Sequence, residues 1–330
     1  MAAPGTGVCI GNDVSVMKPQ ASRLRPASPY AAAVKVFLVV ATLLAFCSAF
    51  GGEAAGAEWE ELPVVPALGP VVAGHLAAIA ARGERVGNRP GVFAKIGDSI
   101  TASPSFLQAL ACRRPQLGEW SRLRVTVEFF GTTAVPPGSE EAQCEVSNSY
   151  SRVGVAAVPG WRAVDALSRL EASPECLDLP AVSCELQLTH PSVALIMFGT
   201  NDLTEFSAVQ FRRNLAHVTR LVSSAGTIPV ISTIPPRERR PYSQRVTRFN
   251  AEIAALAENR ALPLWNYWRE MTEPGVPSGG LGEDGVHPSA LCPPCTAIDF
   301  RPEGLRQGYA LRNLGALRVL DRLRRSVPLG

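Results

Sequence analysis

The chain has 330 residues, 46% hydrophobic and 18% charged, with a mean hydropathy of +0.10. That composition can bury a sizeable core in one large or two small domains. Thirty-two basic and 29 acidic side chains leave a net charge of only +3. With that balance, and with no Lys/Arg stripe interleaved with aromatics, nucleic-acid binding is excluded.

In chain order, the first feature is VFLVVATLLAFCSAF, Val36 to Phe50, preceded by basic residues and followed by GGEAAGA. This is the order of a secretory signal, with a small-x-small cleavage site at Ala55-Gly56-Ala57. The apolar run falls short of the roughly 20 residues that span a bilayer, so cleavage is expected over its alternative, an uncleaved N-terminal membrane tether. Phe46 before Cys47 is too bulky for a lipoprotein site. Residues 1–57 are therefore read as signal peptide or anchor, and the expected location is secreted, periplasmic or cell-surface. Residues 58–90 form a lead-in, whose VVAGHLAAIAARG (71–83) predicts a short helix stopped by glycine.

Without Cys9 and Cys47, six cysteines remain: Cys112, Cys144, Cys176, Cys184, Cys292 and Cys295. An even set in an exported chain suggests disulfides, with many pairings open. Cys176 and Cys184, enclosing a short proline-containing loop, are the first expected pair. Cys292-Pro-Pro-Cys295 lies in a proline-rich loop rather than at a helix start. No second CxxC or histidine cluster supports zinc, so a structural bridge, or two bridges to other cysteines, is expected there.

From Gly91 onward, apolar runs bounded by turn residues predict strands at 91–97, 123–130, 192–199, 227–235 and 261–268. Several are rich in Val and Ile, as strands buried on both faces are. Near-3.6 periodicity predicts helices over 207–226, 243–260 and 302–325. The alternation means right-handed crossovers and a parallel sheet. The expected fold is one three-layer α/β/α domain over 91–330, with a central parallel sheet of about five strands. Two long excursions, 131–159 and 269–301, interrupt it, and loops of that length are usually functional or disordered.

Ligands of open parallel sheets bind beyond the carboxyl ends of the strands. Four polar clusters fall at that edge: Gly97-Asp98-Ser99, the Gly160 turn opening the helical pattern WRAVDALSRL, Gly199-Thr200-Asn201-Asp202, and GEDGVHPS with Asp284 and His287. A Ser, His, Asp and Asn with a glycine turn on one edge are the parts of a covalent acyl-transfer site.

The ordered blocks GDSI, PGWRA, FGTND and DGVHPS resemble those of the SGNH/GDSL hydrolase superfamily, over roughly residues 91–325. GNRPGVFAKIGDSITASPSFL and PLWNYW resemble an exported bacterial subgroup. The resemblance implies a flavodoxin-like hydrolase fold with Ser99 as nucleophile, His287 as its base and Asp284 holding the imidazole. It also implies an oxyanion hole of the Ser99 N–H, the Gly160 N–H and the Asn201 amide. Ser99 could instead be a plain helix N-cap, Asp284 a cap on the final helix, Asn201 a cap on the next one, and Gly154 a rival to Gly160. Asp98 and Asp202 are read as turn-stabilising. The Gly-x-Ser-x-Gly elbow of another hydrolase class is absent around Ser99.

The activity so implied is serine-dependent hydrolysis of carboxylic esters, with no cofactor and no metal required. Removal of acetyl groups from carbohydrate is the first expected reaction, and cleavage of a lipid or lysophospholipid ester the second. A non-catalytic binding module and a thiol–disulfide protein working through Cys292 and Cys295 are the readings from other classes. Trp161, Trp265, Tyr267 and Trp268 could line a sugar cleft or pack in the core.

Overall fold

The computed structural model describes residues 59–138, 144–169, 176, 178–290 and 297–329. All belong to the compact unit Gly56–Gly330. The signal segment and the Cys292/Cys295 motif lie outside the described residues. Among those described, no helix is long and apolar enough to cross a membrane.

Four parallel strands make one sheet in the order β1 (Arg89–Gly97), β2 (Pro191–Met197), β3 (Ile228–Ser232), β4 (Leu264–Trp265). The register pairs Phe93 with Val193, Val193 with Ile228, and Ile231 with Leu264. β2 and β3 are buried along their whole length, so the unbroken Val/Ile runs reflect cover on both faces. On one face lie α6 (Ala208–Ser224) and α7 (Tyr242–Asn259), joined by stacked Phe211 and Phe249 rings 4.8 Å apart. Ser207 and Gln210 form a reciprocal capping box that sets the start of α6. The other face carries α9 (Gly308–Ser326), whose Asn313 accepts from Leu107 N–H and donates to the Ser105 and Ala297 carbonyls.

Two predicted elements take other forms. Residues 123–130 alternate like a strand, yet Arg124–Gly131 is a helix, α3. Leu123, Thr126 and Phe130 are buried at helical spacing while Val125 is 54% exposed. Phe130 meets the Phe93 ring edge-on, and the Thr126 hydroxyl donates to Asp321 of α9 at 2.9 Å. Tertiary contact with the sheet face and α9 thus overrides the β propensity of the run. Among the described residues the sheet has four strands, and the free side of β1 carries only an isolated bridge: Gly97 N–H donates to Ala156 O, and Val158 N–H to Gly97 O.

The helix expected after Gly160 is likewise reduced to a 3₁₀ turn, Asp165–Leu167. The Arg162 and Ala163 N–H groups are taken by the Asp165 and Asp202 carboxylates, respectively, so the chain enters a turn instead. The lead-in helix, α1, spans Pro70–Arg85 and runs through Gly83. Gly83 is there because a Cβ would collide with the carbonyl of Gly226.

The two short helices α2 (Ser99–Ala102) and α5 (Asp202–Glu205) follow β1 and β2 at the carboxyl edge. The 131–159 excursion is pinned to α4 (Ala181–Thr189) by a buried ion pair. Glu185 accepts from Arg152 Nε and Nη2, each at 2.8 Å, and from Val155 N–H. Disulfides join Cys176 to Cys184, as expected, and Cys112 to Cys144, a pairing spacing alone did not single out.

Candidate active site

The last residue of β1, Gly97, is glycine because a side chain there would strike Thr101 and the Met197 carbonyl. Asp98 then caps α2, its Oδ1 accepting from Ile100 N–H at 3.0 Å. Asp98 therefore stabilises the turn, as its sequence position suggested, and Ser99 is the first helical residue rather than the cap. Burial pushes the Asp98 carboxyl up to about 6.

Ser99 Oγ lies 2.8 Å from His287 Nε2, across 188 positions of sequence. His287 Nδ1 lies 2.5 Å from Asp284 Oδ2. The other Asp284 oxygen accepts from the Val286 and His287 N–H groups, both at 2.9 Å. Partial burial works against the Asp284 carboxylate, but the His287 ring and these N–H groups outweigh it and hold the carboxyl below its ordinary value. An ionised Asp284 can only accept, so Nδ1 carries the proton and Nε2 turns its lone pair to the Ser99 hydroxyl. The loop is closed by Gly282 N–H to His287 O and by Ser289 N–H to Gly280 O. The cap of α9 is Gln307, so Asp284 does not cap the final helix.

The Gly160 turn is held at both ends. Val158 is bonded to Gly97, and the Trp161 carbonyl accepts from Asn201 Nδ2 at 3.0 Å. Between these ties Gly160 has φ +82°, which glycine adopts without strain. The Ser99 and Gly160 N–H groups make no hydrogen bond among the described residues. Asn201 makes no side-chain cap bond to α5. Gly154 is a packing glycine, since a Cβ on it would meet the Glu185 carboxylate.

Asp202 does more than its sequence reading as a turn residue. It is fully buried, and both oxygens face the Ala163 N–H, at 3.0 and 3.2 Å. Burial pushes its carboxyl up to about 7, with Asp98 and Asp165 adding repulsion. A cleft of about 690 Å³ opens beside Ser99 and His287, lined also by Ser103, Pro159, Ser289 and Tyr309. Nothing in the sequence marked Tyr309, because the final helix brings it there from 210 positions beyond Ser99. Trp265 and Tyr267 are core residues around Arg312, not cleft walls. Trp268, on α8 (Tyr267–Thr272), packs edge-on against Trp59.

A family model described as GDSL-like lipase/acylhydrolase matches residues 96–291, more than half the chain. No curated protein matches it. Among solved structures, the chain is similar to a lipase/acylhydrolase from Enterococcus faecalis, 20% identical, with 72% of this chain and 97% of that one covered at a TM-score of 0.44. It is also similar to a catalytic mutant of Axe2, an acetylxylan esterase from Geobacillus stearothermophilus, at 14% identity, 69% and 93% coverage and a TM-score of 0.42. The psychrotrophic esterase EstA from Pseudoalteromonas sp. is 18% identical, with 60% and 88% coverage and a TM-score of 0.38.

Proposed function

The chain belongs to the GDSL-like lipase/acylhydrolase family and is a serine ester hydrolase; from that premise we propose an exported esterase that forms an acyl-enzyme on Ser99. The observation that carries the assignment of roles is the continuous chain Ser99 Oγ, His287 Nε2, His287 Nδ1, Asp284 Oδ2, with links of 2.8 and 2.5 Å. Ser99 attacks the ester carbonyl while His287 Nε2 takes the hydroxyl proton. Asp284 holds the tautomer and stabilises the imidazolium. Negative charge on the carbonyl oxygen is received by the free N–H groups of Ser99 and Gly160 and by the Asn201 amide. His287 returns the proton to the leaving alcohol, then activates the water that releases the acid.

The preferred substrate is an O-acetyl ester of a carbohydrate. Supporting that reading, the cleft walls carry the hydroxyls of Ser103, Ser105, Ser289 and Tyr309 among small residues such as Ala102 and Pro104. Hydroxyls and small apolar groups suit a short acyl group on a polar alcohol better than a long lipid chain. Export is supported by the signal-like order of residues 36–57. The purified protein is tested on p-nitrophenyl acetate, longer acyl chains and acetylated xylan. Highest kcat/KM on the acetyl esters is expected; a preference for long acyl chains would move the assignment to lipid esters. Absence of turnover together with absence of labelling by a fluorophosphonate would leave a binding module.

A further inference from the structure

Successive strands deliver Ser99 after β1, Asn201 after β2 and, after β3, the segment 233–241. Close contacts fix the course of that segment. A Cβ on Gly199 would meet Ile234 at 3.0 Å, one on Gly279 would meet Pro236 at 3.3 Å, and one on Gly285 would meet the Glu238 carboxylate at 3.2 Å. The segment therefore runs from the Asn201 turn to the loop that carries Asp284 and His287, and Arg237 lies on it between the two.

Arg237 is half-buried, its guanidinium 5.4 Å from the centroid of the Tyr242 ring. It makes no hydrogen bond or ion pair among the described residues. The side chains of Arg239 and Arg240 on the same segment are likewise unbonded among the described residues but lie exposed, whereas Arg162 is held by Asp165 and Glu205 and Arg245 by the Phe206 carbonyl. Burial works to lower the Arg237 pKa, opposed by the charges of Tyr242, Asp284 and Asp98. The guanidinium is thus within the field of the catalytic carboxylate yet bonded to none. A partly desolvated cation with unused donors is an incomplete arrangement, and its planar fork matches carboxylate and phosphate oxygens.

Neighbouring strands lie about 4.8 Å apart, so the end of β3 is about 10 Å from the end of β1. Arg237 lies five residues beyond that end, and the Asp284 and Asp98 charges both act on its guanidinium, which puts it beside the site although it is not one of the cleft-lining residues. The side of the ester it faces follows from the proton path. His287 protonates the leaving oxygen, so the alcohol lies towards the 284–287 loop, and Glu238, adjacent to Arg237, packs on Gly285 of that loop.

We propose that Arg237 is a specificity residue that receives an anionic group, carboxylate or phosphate, on the alcohol portion of the ester. This rests on the serine-esterase reading above and narrows its substrate class to esters of acidic alcohols, such as an acetylated sugar bearing an acid group.

The test compares the full-length protein with its Arg237→Gln, Arg237→Lys and Arg239→Gln variants on matched phenyl acetates. These carry a 3-carboxylate, a 3-phosphate or a neutral 3-carboxamide. The readout is the ratio of kcat/KM for the charged ester over the neutral one, which cancels general losses of folded enzyme. Arg237→Gln is expected to lower the ratio about tenfold for one or both anions, as loss of a charge-assisted hydrogen bond does. Arg237→Lys should recover part of it, and Arg239→Gln, at an exposed neighbouring position, should keep the wild-type ratio. Whichever anion shows the larger Arg237-dependent drop identifies the group. An unchanged ratio in Arg237→Gln overturns the proposal. So does an Arg237 effect confined to an acyl-borne charge, read with p-nitrophenyl hemiglutarate against the pentanoate. If the wild type cleaves none of these esters, the neutral one included, the esterase reading itself has failed and takes this one with it.

Discussion

Asp202 offers the sharpest link between a buried group and the reaction. Its two oxygens accept from the Ala163 N–H, and the neighbouring Asn201 amide donates to the Trp161 carbonyl, so two adjacent residues hold the stretch just after Gly160. In Asp202→Ala the buried Ala163 N–H loses its acceptor, a cost of about 1–3 kcal/mol. If that cost is felt as displacement of the Gly160 N–H, the rate falls by roughly 5- to 150-fold. Complete loss of one oxyanion donor sets a ceiling of about 10²–10³. Steady-state kinetics should therefore show kcat down tenfold to a hundredfold with little change in KM. Asp202→Asn keeps an oxygen acceptor for Ala163 and should lose less than about fivefold.

Stability gives a second readout of the same group. The folded-state pKa is raised from 3.8 to about 7, so the folded protein holds this proton more tightly than the unfolded chain. The resulting stabilisation is complete below 3.8 and is lost as pH rises through about 7. At about 1.4 kcal/mol per pH unit, the ceiling is roughly 4 kcal/mol. Denaturant midpoints measured from pH 5 to 8 should fall less steeply in Asp202→Asn than in the wild type. An Asp202→Ala protein with wild-type kcat would refute the idea that this carboxyl positions the turn. Identical pH slopes would refute the raised pKa.

Ser99→Ala should abolish turnover, by about a thousandfold or more, and fluorophosphonate labelling, while thermal unfolding stays near wild type. Glu185→Ala leaves Arg152 buried and unpaired, which should cost about 3–5 kcal/mol. For a unit of this size that lowers Tm by roughly 8–15 °C, and a shift below about 2 °C would contradict the role given to the pair. Val125→Lys separates helix from strand over 123–130. With Val125 half-exposed on α3 it should change stability by less than about 0.5 kcal/mol, whereas a buried strand face would not tolerate the charge. Phe130→Ala, removing the ring that meets Phe93, should cost about 3–5 kcal/mol by comparison.

What could be read from the sequence and what could not differ in physical range. Gly97-Asp98-Ser99 and Gly199-Thr200-Asn201 are local signals, because a strand that ends in a tight turn needs glycine and a short polar side chain whatever the rest of the chain does. The sheet rule then puts both at one edge without knowledge of any contact. His287 was legible by its place in GEDGVHPS, three residues after Asp284, again a local property. The misreadings all concern places where a distant partner decides. LRVTVEFF alternates like a strand up to Phe129, and contacts with Phe93 and Asp321, reached through the folded chain, make a helix of it. WRAVDALSRL has helical spacing, and Asp202 from the next strand end diverts its Ala163 N–H while the local Asp165 takes that of Arg162. Arg152 and Glu185, 33 positions apart, leave no periodic trace at all, although they anchor the excursion that leads to Gly160. The chemistry at the strand ends is therefore encoded in short words, whereas the precision of that chemistry depends on buried polar pairs between segments. Asp202 belongs to both groups. Its position after Asn201 marks it as a turn residue, and its burial against Ala163 makes the same carboxyl the tie between two halves of the candidate oxyanion site.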